Sequence, residues 1–235
     1  MQRSLLPPSL PKIPGAEIAA RYLAAGEGLE VGGDFYDAFG LPESRWALVV
    51  GDVAGKGPEA AAMTSLAHYT VRAAAARSEG PETVLHILNE EILRQTDHGR
   101  FFTVVYGELE LGKAGGATLR VAAGGHPPPI LIRRNGEAES LPPMGMVLGA
   151  TPKVEIGKWE AQLYQGDAVV FYTDGVTEAR SPGGEFFSEQ GLKALCTRCA
   201  GLSAEEIAEK VERGVMKFQR GELRDDIALL VLRII

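Results

Sequence analysis

The chain has 235 residues, of which 45% are hydrophobic and 23% are charged, so it can bury the core of one large domain or two small ones. Its net charge of −7 argues against nucleic acid or an anionic membrane as the main partner. No apolar run approaches the ~20 residues of a membrane span, and the hydrophobic stretch at the N-terminus is too short for a signal peptide. We therefore expect a cytoplasmic protein.

Residues 1–15 are proline-rich and are predicted to form an extended lead-in or linker before a domain spanning 16–235. The hydrophobic patterns and turn residues then predict regular elements along the chain. In chain order these are strands Glu17–Leu23 and Arg45–Val50, helices Glu59–Arg77 and one opened by Pro81, strands Phe102–Leu111, Ala117–Ala122, Pro129–Arg133, Val154–Leu163 and Asp167–Tyr172, helices Ser188–Cys199 and Ser203–Arg220, and strand Ile227–Ile235.

The order of these elements predicts the fold class. Helical blocks inserted between runs of strands indicate an α+β protein with stacked antiparallel sheets, not alternating βαβ units. The pair Ser203 and Glu206 forms a capping box that fixes the start of the last helix. No internal repeat or domain boundary interrupts 16–235, so one domain is predicted.

Short acidic motifs recur at the ends of strand-like runs, most of them with glycine beside the acid. One such aspartate is commonly a turn former or a helix cap, but four of them spread over the chain suggest a shared site. Carboxylates without cysteine or histidine companions suit Mg²⁺ or Mn²⁺. If the fold brings them together, they form a two-metal site, which is typical of phosphoryl or hydrolytic chemistry. The motifs are Gly32-Gly33-Asp34-Phe35-Tyr36-Asp37, Gly51-Asp52-Val53-Ala54-Gly55-Lys56-Gly57, Thr173-Asp174-Gly175 and Arg224-Asp225-Asp226.

Three other features have competing interpretations. The glycine-rich segment 51–57 is similar to a phosphate-binding loop, but its glycines are too close and Gly57 stands where that loop needs Ser or Thr. His126, in a proline-rich turn, is expected to fix the turn by hydrogen bonds, with a catalytic role as the alternative. Cys196 and Cys199 lack two further zinc ligands nearby, which favours ordinary packing over a metal or redox site.

Taken together, the motifs resemble the metal-dependent protein phosphatases (PPM, type 2C), in the bacterial SpoIIE/RsbU-like branch. The resemblance implies an α-β-β-α sandwich of two antiparallel sheets flanked by helices, with a site for two Mn²⁺ or Mg²⁺ ions at one end. Besides the acidic motifs, it rests on Leu5-Leu6-Pro7, Ile13-Pro14-Gly15, Asn89, Phe102-Thr103, Ala123-Gly124-Gly125-His126-Pro127-Pro128, Tyr172, Val176-Thr177-Glu178-Ala179 and Ile227.

The resemblance also implies roles for individual residues. Asp52 would be the central catalytic ligand that bridges both ions, and the carbonyl of Val53 would support one of them. Asp34 would bind one ion, while Asp174 and Asp225 would bind the other. Two cations held by these acids would supply a nucleophile by lowering the pKa of a bound water and would neutralise charge on the phosphoryl oxygens.

Some positions carry a less direct expectation or depart from the family pattern. Asp226, where many relatives have asparagine, would contact and position the metal ligands without binding an ion itself. Lys56 would contact the substrate phosphate, with a solvated turn lysine as the alternative. Ala54 stands where eukaryotic relatives carry a histidine proposed to protonate the leaving group. Leu29 stands where they carry a phosphate-binding arginine, and this chain has no arginine nearby.

The resemblance implies a protein serine/threonine phosphatase acting on a phosphorylated signalling protein, such as an anti-sigma-factor antagonist. The alternatives are a pseudo-phosphatase that only binds its partner and a hydrolase of small phosphoesters. The lead-in resembles the junction at which relatives join a sensory domain, so the expected partners also include an upstream sensory domain and a second copy of the chain. Leu5 and Leu6 are expected to dock on the domain or to pair across such a dimer. A disordered tail is the competing interpretation of the lead-in.

Overall fold

The computed structural model describes residues 6–25, 32–77, 80–95, 101–112, 116–142, 145–221 and 223–235. The strands are β1 (Ala16–Leu23), β2 (Phe35–Leu41), β3 (Arg45–Val53), β4 (Phe102–Leu111), β5 (Ala117–Gly124), β6 (Ile130–Ile132), β7 (Ala138–Ser140), β8 (Gly157–Leu163), β9 (Ala168–Tyr172) and β10 (Ile227–Ile234). The helices are α1 (Pro58–Ala75), α2 (Pro81–Gln95), α3 (Asp174–Thr177), α4 (Ser188–Cys196) and α5 (Ala204–Gln219).

The strands form two five-stranded antiparallel sheets. The β1 sheet has the order β1-β10-β9-β6-β7, and the β2 sheet has the order β2-β3-β4-β5-β8. One apolar cluster fills the space between the sheets, a second lies between the β2 sheet and α1 and α2, and a third lies between the β1 sheet and α4 and α5. The result confirms the stacked antiparallel sheets predicted from the order of elements and the α-β-β-α sandwich that the family resemblance implies.

The central strands are apolar on both faces because both faces are buried. In β3, Leu48 and Val50 face the cluster between the sheets, while Ala47 and Val49 face α1 and α2. Strand β10 alternates in the same way between the middle cluster and the cluster under α4 and α5. Each sheet is thereby fixed in register, since a slip by one residue would exchange its two faces.

The structure confirms most of the predicted elements and adds some. The capping box at Ser203 is present, with both reciprocal hydrogen bonds to Glu206. Strands β2 and β7 and the short helix α3 were not predicted. The helix predicted to end at Cys199 ends at Cys196, and both cysteines are buried free thiols packed between sheet and helices.

Part of the lead-in packs against the domain. Ile13 is buried and its backbone pairs with Ala16, and Leu10 packs against the same cluster between the sheets. Leu5 lies outside the described residues, so pairing through it stays a prediction. No helix in the described part of the chain is long and apolar enough to cross a membrane.

A buried ion-pair cluster attaches α1 to β2. Asp37 on β2 is only 1% exposed and accepts hydrogen bonds at 2.7 and 2.9 Å from Arg72 of α1. It also contacts Nε2 of His68, one turn earlier on the helix. Burial raises the pKa of Asp37, but the hydrogen bonds from His68 and Arg72 outweigh burial and leave its pKa below the ordinary value of 3.8.

We predict that Asp37→Asn destabilises the fold by about 2–4 kcal/mol at pH 7, because Arg72 loses its buried partner. The lowered pKa means that the carboxylate stabilises the fold above pH 3.8, and that this contribution is lost as pH falls through the still lower pKa of the folded state. Urea unfolding of both proteins from pH 7 to pH 3 measures the gap, which should shrink toward the acid end.

The control is Glu90→Gln, since Glu90 and Arg94 form an exposed ion pair within α2. That variant should change the free energy of unfolding by less than about 0.5 kcal/mol at every pH. Equal effects of the two substitutions would contradict a stabilising role for the buried cluster.

Candidate metal centre

The four predicted acidic ligands lie at the same end of the two sheets. On the β2 sheet, Asp34 immediately precedes β2 and Asp52 is the penultimate residue of β3, which is antiparallel to β2. On the β1 sheet, Asp174 follows the end of β9 and Asp225 precedes the start of β10. The antiparallel pairing of β9 with β10 places these two acids together, so motifs more than a hundred residues apart converge.

The electrostatic environment shows how closely these acids meet. Burial raises the pKa of Asp34 well above its ordinary value, and the charge of Asp52 raises it further. Burial, followed by the charge of Asp52, raises the pKa of Asp174 to about 6. The pKa of Asp52 is raised by burial and by the charge of Asp225. Asp52 therefore interacts with acids from both sheets and is the centre of the cluster.

Two glycines allow the backbone segments of the site to approach one another. A Cβ at Gly33 would lie 2.0 Å from the carbonyl oxygen of Val53 and 2.7 Å from a carboxylate oxygen of Asp52. A Cβ at Gly175 would lie 2.0 Å from the carbonyl oxygen of Asp226. No side chain fits at either position without moving the neighbouring backbone, so the glycines of the acidic motifs are a packing requirement of this site.

Thr173, which sequence reasoning did not single out, holds one of the acids. Its hydroxyl donates a hydrogen bond of 2.6 Å to Asp34 and accepts one of 2.9 Å from the backbone N–H of Ala228. Thr173 follows β9 and Ala228 belongs to β10, whereas Asp34 belongs to the other sheet. The Thr173 hydroxyl therefore links the two sheets directly by hydrogen bonds. Its place in the Thr-Asp-Gly motif was the signal available from the sequence.

His126 links the two sheets at a second point, through hydrogen bonds of its ring. Its Nε2 lies 3.0 Å from the carbonyl oxygen of Tyr172, which only accepts, so Nε2 carries the proton. Burial lowers the pKa of His126 to about 3, and Nδ1 of the neutral ring accepts a hydrogen bond of 2.9 Å from the Thr103 hydroxyl. Thr103 is the cross-strand neighbour of Asp52. Both ring nitrogens are thus engaged in holding backbone and side chains beneath the acids.

The remaining predicted residues lie at the edge of the cluster. The carboxylate of Asp226 accepts hydrogen bonds from the Tyr22 hydroxyl at 3.1 Å and the Ala25 N–H at 2.7 Å, so it anchors the start of β10 to β1. Lys56 places Nζ 3.5 Å from Asp225, whose side chain is 58% exposed. Leu29 lies outside the described residues.

The donor chemistry of the cluster fits a hard divalent cation. All of its side-chain donors are carboxylate oxygens, and a cation would relieve the repulsion that raises their pKa values. Within the described ranges, no three His, Cys, Asp or Glu side chains are arranged so that together they could hold one metal ion. The acids meet as an open cluster that spans both sheets, and their assignment as metal ligands stays a prediction.

Residues 42–235 match the model of the protein family described as Stage II sporulation protein E (SpoIIE). Among curated proteins, the chain is 28% identical to phosphoserine phosphatase RsbU of Bacillus subtilis, over 99% of this chain and 68% of RsbU. It is also 28% identical to protein IcfG of Synechocystis, over 99% of this chain but only 40% of IcfG.

Solved structures share the fold. The RsbU and RsbW domains of Rv1364c from Mycobacterium tuberculosis superpose with a TM-score of 0.81 at 30% identity, over 98% of this chain and 63% of that one. The structure of the PP2C phosphatase domain of SpoIIE from Bacillus subtilis with a fragment of its regulatory domain superposes with a TM-score of 0.77 at 21% identity, over 93% of this chain and 63% of that one. The chain thus spans less than two thirds of both solved chains.

We predict that His126→Phe lowers the free energy of unfolding by about 1–3 kcal/mol, because it leaves the Tyr172 carbonyl and the Thr103 hydroxyl buried without their partner. Thermal unfolding measures this loss, and titration with Mn²⁺ should show weaker metal binding because both sheets lose a bond beneath the acids. The matched control is His86→Phe on α2, where the histidine side chain is 44% exposed. Wild-type stability and metal affinity in His126→Phe would contradict the proposed bond between the sheets.

Proposed function

The chain belongs to the SpoIIE family and has the fold of PP2C-type phosphatases, and from that premise we propose that it is a metal-dependent protein serine/threonine phosphatase. The observation that carries the proposal is the convergence of acids from both sheets around Asp52. Bound Mn²⁺ or Mg²⁺ would supply the nucleophile, by lowering the pKa of a water held between two ions, and would neutralise the phosphoryl oxygens.

The position of each acid supports a distinct role. Asp52 interacts electrostatically with Asp34 on one side and with Asp174 and Asp225 on the other, which suits a ligand shared by two ions. We assign Asp34 to one ion and the other two acids to the second. The carbonyl of Val53 lies beside Gly33 at the same edge of the site, where it would support one ion.

Residues around the acids would orient the substrate and the ligands. Thr173 fixes one oxygen of Asp34, which leaves the other oxygen for a metal ion. Asp226 holds β10 against β1 and so sets the position of Asp225. Lys56, paired with Asp225, would turn to the substrate phosphate once cations neutralise that carboxylate.

The proposed substrate is a phosphoserine or phosphothreonine of a small signalling protein, such as an anti-sigma-factor antagonist. Support comes from the names of relatives, one a phosphoserine phosphatase and another a chain that carries RsbU and RsbW domains. An upstream sensory domain and a homodimer belong to the same proposal. So does a cytoplasmic location, which agrees with two free thiols at Cys196 and Cys199.

Phosphate release tests the proposed activity. With Mn²⁺ present, the chain should hydrolyse an aryl phosphate slowly and a panel of phosphoserine proteins faster, and activity should disappear with a chelator. Hydrolysis of the aryl phosphate alone, with no phosphoprotein turned over, would favour a small phosphoester hydrolase. No turnover of either substrate, together with tight binding of a phosphoprotein, would identify a pseudo-phosphatase.

We predict that Asp52→Ala lowers turnover of the aryl phosphate by at least about a thousandfold, because it removes the ligand proposed to be shared by both ions. Glu160→Gln, an exposed acid on β8, is the matched control and should keep wild-type turnover. Calorimetric titration should show weaker Mn²⁺ binding to Asp52→Ala. Full activity of that variant with saturating Mn²⁺ would end the two-metal account.

A second expected outcome concerns stability. Since the acids repel one another without a cation, Mn²⁺ that binds only the folded state should raise the melting temperature, by about 4–10 °C at a hundred times its Kd. Scans in metal-free buffer with and without Mn²⁺ measure the shift. Asp52→Ala should melt higher than wild type without metal, because the repulsion is smaller, and should respond less to Mn²⁺.

A further inference from the structure

A groove of about 500 Å³ lies between α4 and α5, on the outer face of the β1 sheet. One of its walls is the segment between α3 and α4, where Ser181 and Phe187 line it. The N–H of Phe187 bonds to the carbonyl of Ala179, just after α3. The other wall is the end of α5, which leads to Asp225. The two walls are thus continuous in sequence with the acids at the ends of β9 and β10.

The floor of the groove is aromatic and partly exposed. The rings of Phe187 and Phe218 meet edge to face with their centroids 5.2 Å apart. A Cβ at Gly214 of α5 would lie 2.3 Å from a methyl group of Leu195, so this glycine lets α4 and α5 approach closely below the opening. Aromatic surface in such a concave site is well suited to hold an apolar anchor side chain.

The edge of the groove is positively charged, although the chain as a whole carries a net charge of −7. Arg198, Lys217 and Arg220 line it, and no acidic residue does so among the described residues. Within that same part of the chain, none of these three side chains forms an ion pair with a carboxylate. By contrast, Arg213 on the same helix is paired with Glu209. The groove therefore combines an apolar floor with three cations that no carboxylate of the described residues pairs.

We propose that this groove docks an acidic segment of the phosphoprotein substrate, with an apolar side chain of that segment against Phe187 and Phe218. The proposal rests on the phosphatase function proposed above. The positive field of the groove favours acidic segments of a partner, while the net charge of −7 on each chain disfavours association with a second copy. Binding energy gained in a groove outside the acidic site would be available to protein substrates but not to small phosphoesters.

The test uses matched phosphoserine peptides. One carries a segment of Glu and Asp around a Leu and a Phe, the other has Gln and Asn in place of the acids, and the spacer to the phosphoserine varies in length. With Mn²⁺, wild type should favour the acidic peptide by about tenfold in kcat/KM at the best spacer, through a lower KM. The double variant Arg198→Glu with Lys217→Glu should lose this preference. Because both peptides are measured on the same protein, general damage cancels from the ratio.

Arg134→Glu is the control, since this exposed arginine lies beyond β6 at the opposite end of the β1 sheet from the acids. It should keep the preference. Equal kcat/KM for both peptides at every spacer in wild type, or an unchanged preference in the double variant, would overturn the proposal.

Direct binding separates this proposal from the proposed activity. An unphosphorylated fluorescent acidic peptide should bind wild type in an anisotropy titration at least about fivefold more tightly than it binds the double variant, whether or not the chain turns over any phosphate. If the chain binds the acidic peptide but does not hydrolyse aryl phosphate, the proposed phosphatase activity is refuted and the proposed docking groove stands. Self-association that the double variant abolishes, without peptide binding, would identify a second copy as the occupant and overturn the proposal.

Discussion

The hydrogen bond from Thr173 to Asp34 joins the two sheets at the point where the acidic motifs meet. The cluster that packs between the sheets is apolar and non-directional, so it holds them together but does not by itself fix carboxylates to within the distances that ion binding needs. His126 supplies a second directed contact nearby, between Tyr172 of one sheet and Thr103 of the other. The relative position of the four candidate ligands depends on these two contacts.

The fold accommodates an unfavourable cluster of charge because the surrounding layers are strongly stabilising. Three apolar clusters run through the sandwich, and their strands are covered on both faces. The acids lie at one end of the sheets, where the strands end and glycines allow close contacts between backbone segments. Stability generated in the body of the sandwich thus offsets repulsion at its edge, an arrangement common at functional sites.

The site and the groove beside it divide two tasks. The acids are negative and suited to cations that act on the phosphoryl group, while the groove lined by Arg198 and Lys217 is positive and suited to the polypeptide that carries it. The helices α4 and α5 contribute to both, because they cover the β1 sheet and flank the segments that hold Asp174 and Asp225. Under the proposed function, a protein substrate would meet both surfaces, whereas a small phosphoester would meet only the first.

The sequence by itself determined the layered α+β fold and the positions of most elements, because strands and helices buried against apolar layers carry strong hydrophobic patterns. It missed β2, whose Asp37 and Gly40 weaken the pattern and whose buried acid is neutralised by Arg72 from α1. The acidic motifs, their glycines and the family resemblance were also readable from residue types. Only the tertiary structure decided that His126 and Thr173 bond the sheets together and that Asp226 faces Tyr22. These contacts join residues far apart in sequence, and no local pattern records which distant partner a polar side chain will meet.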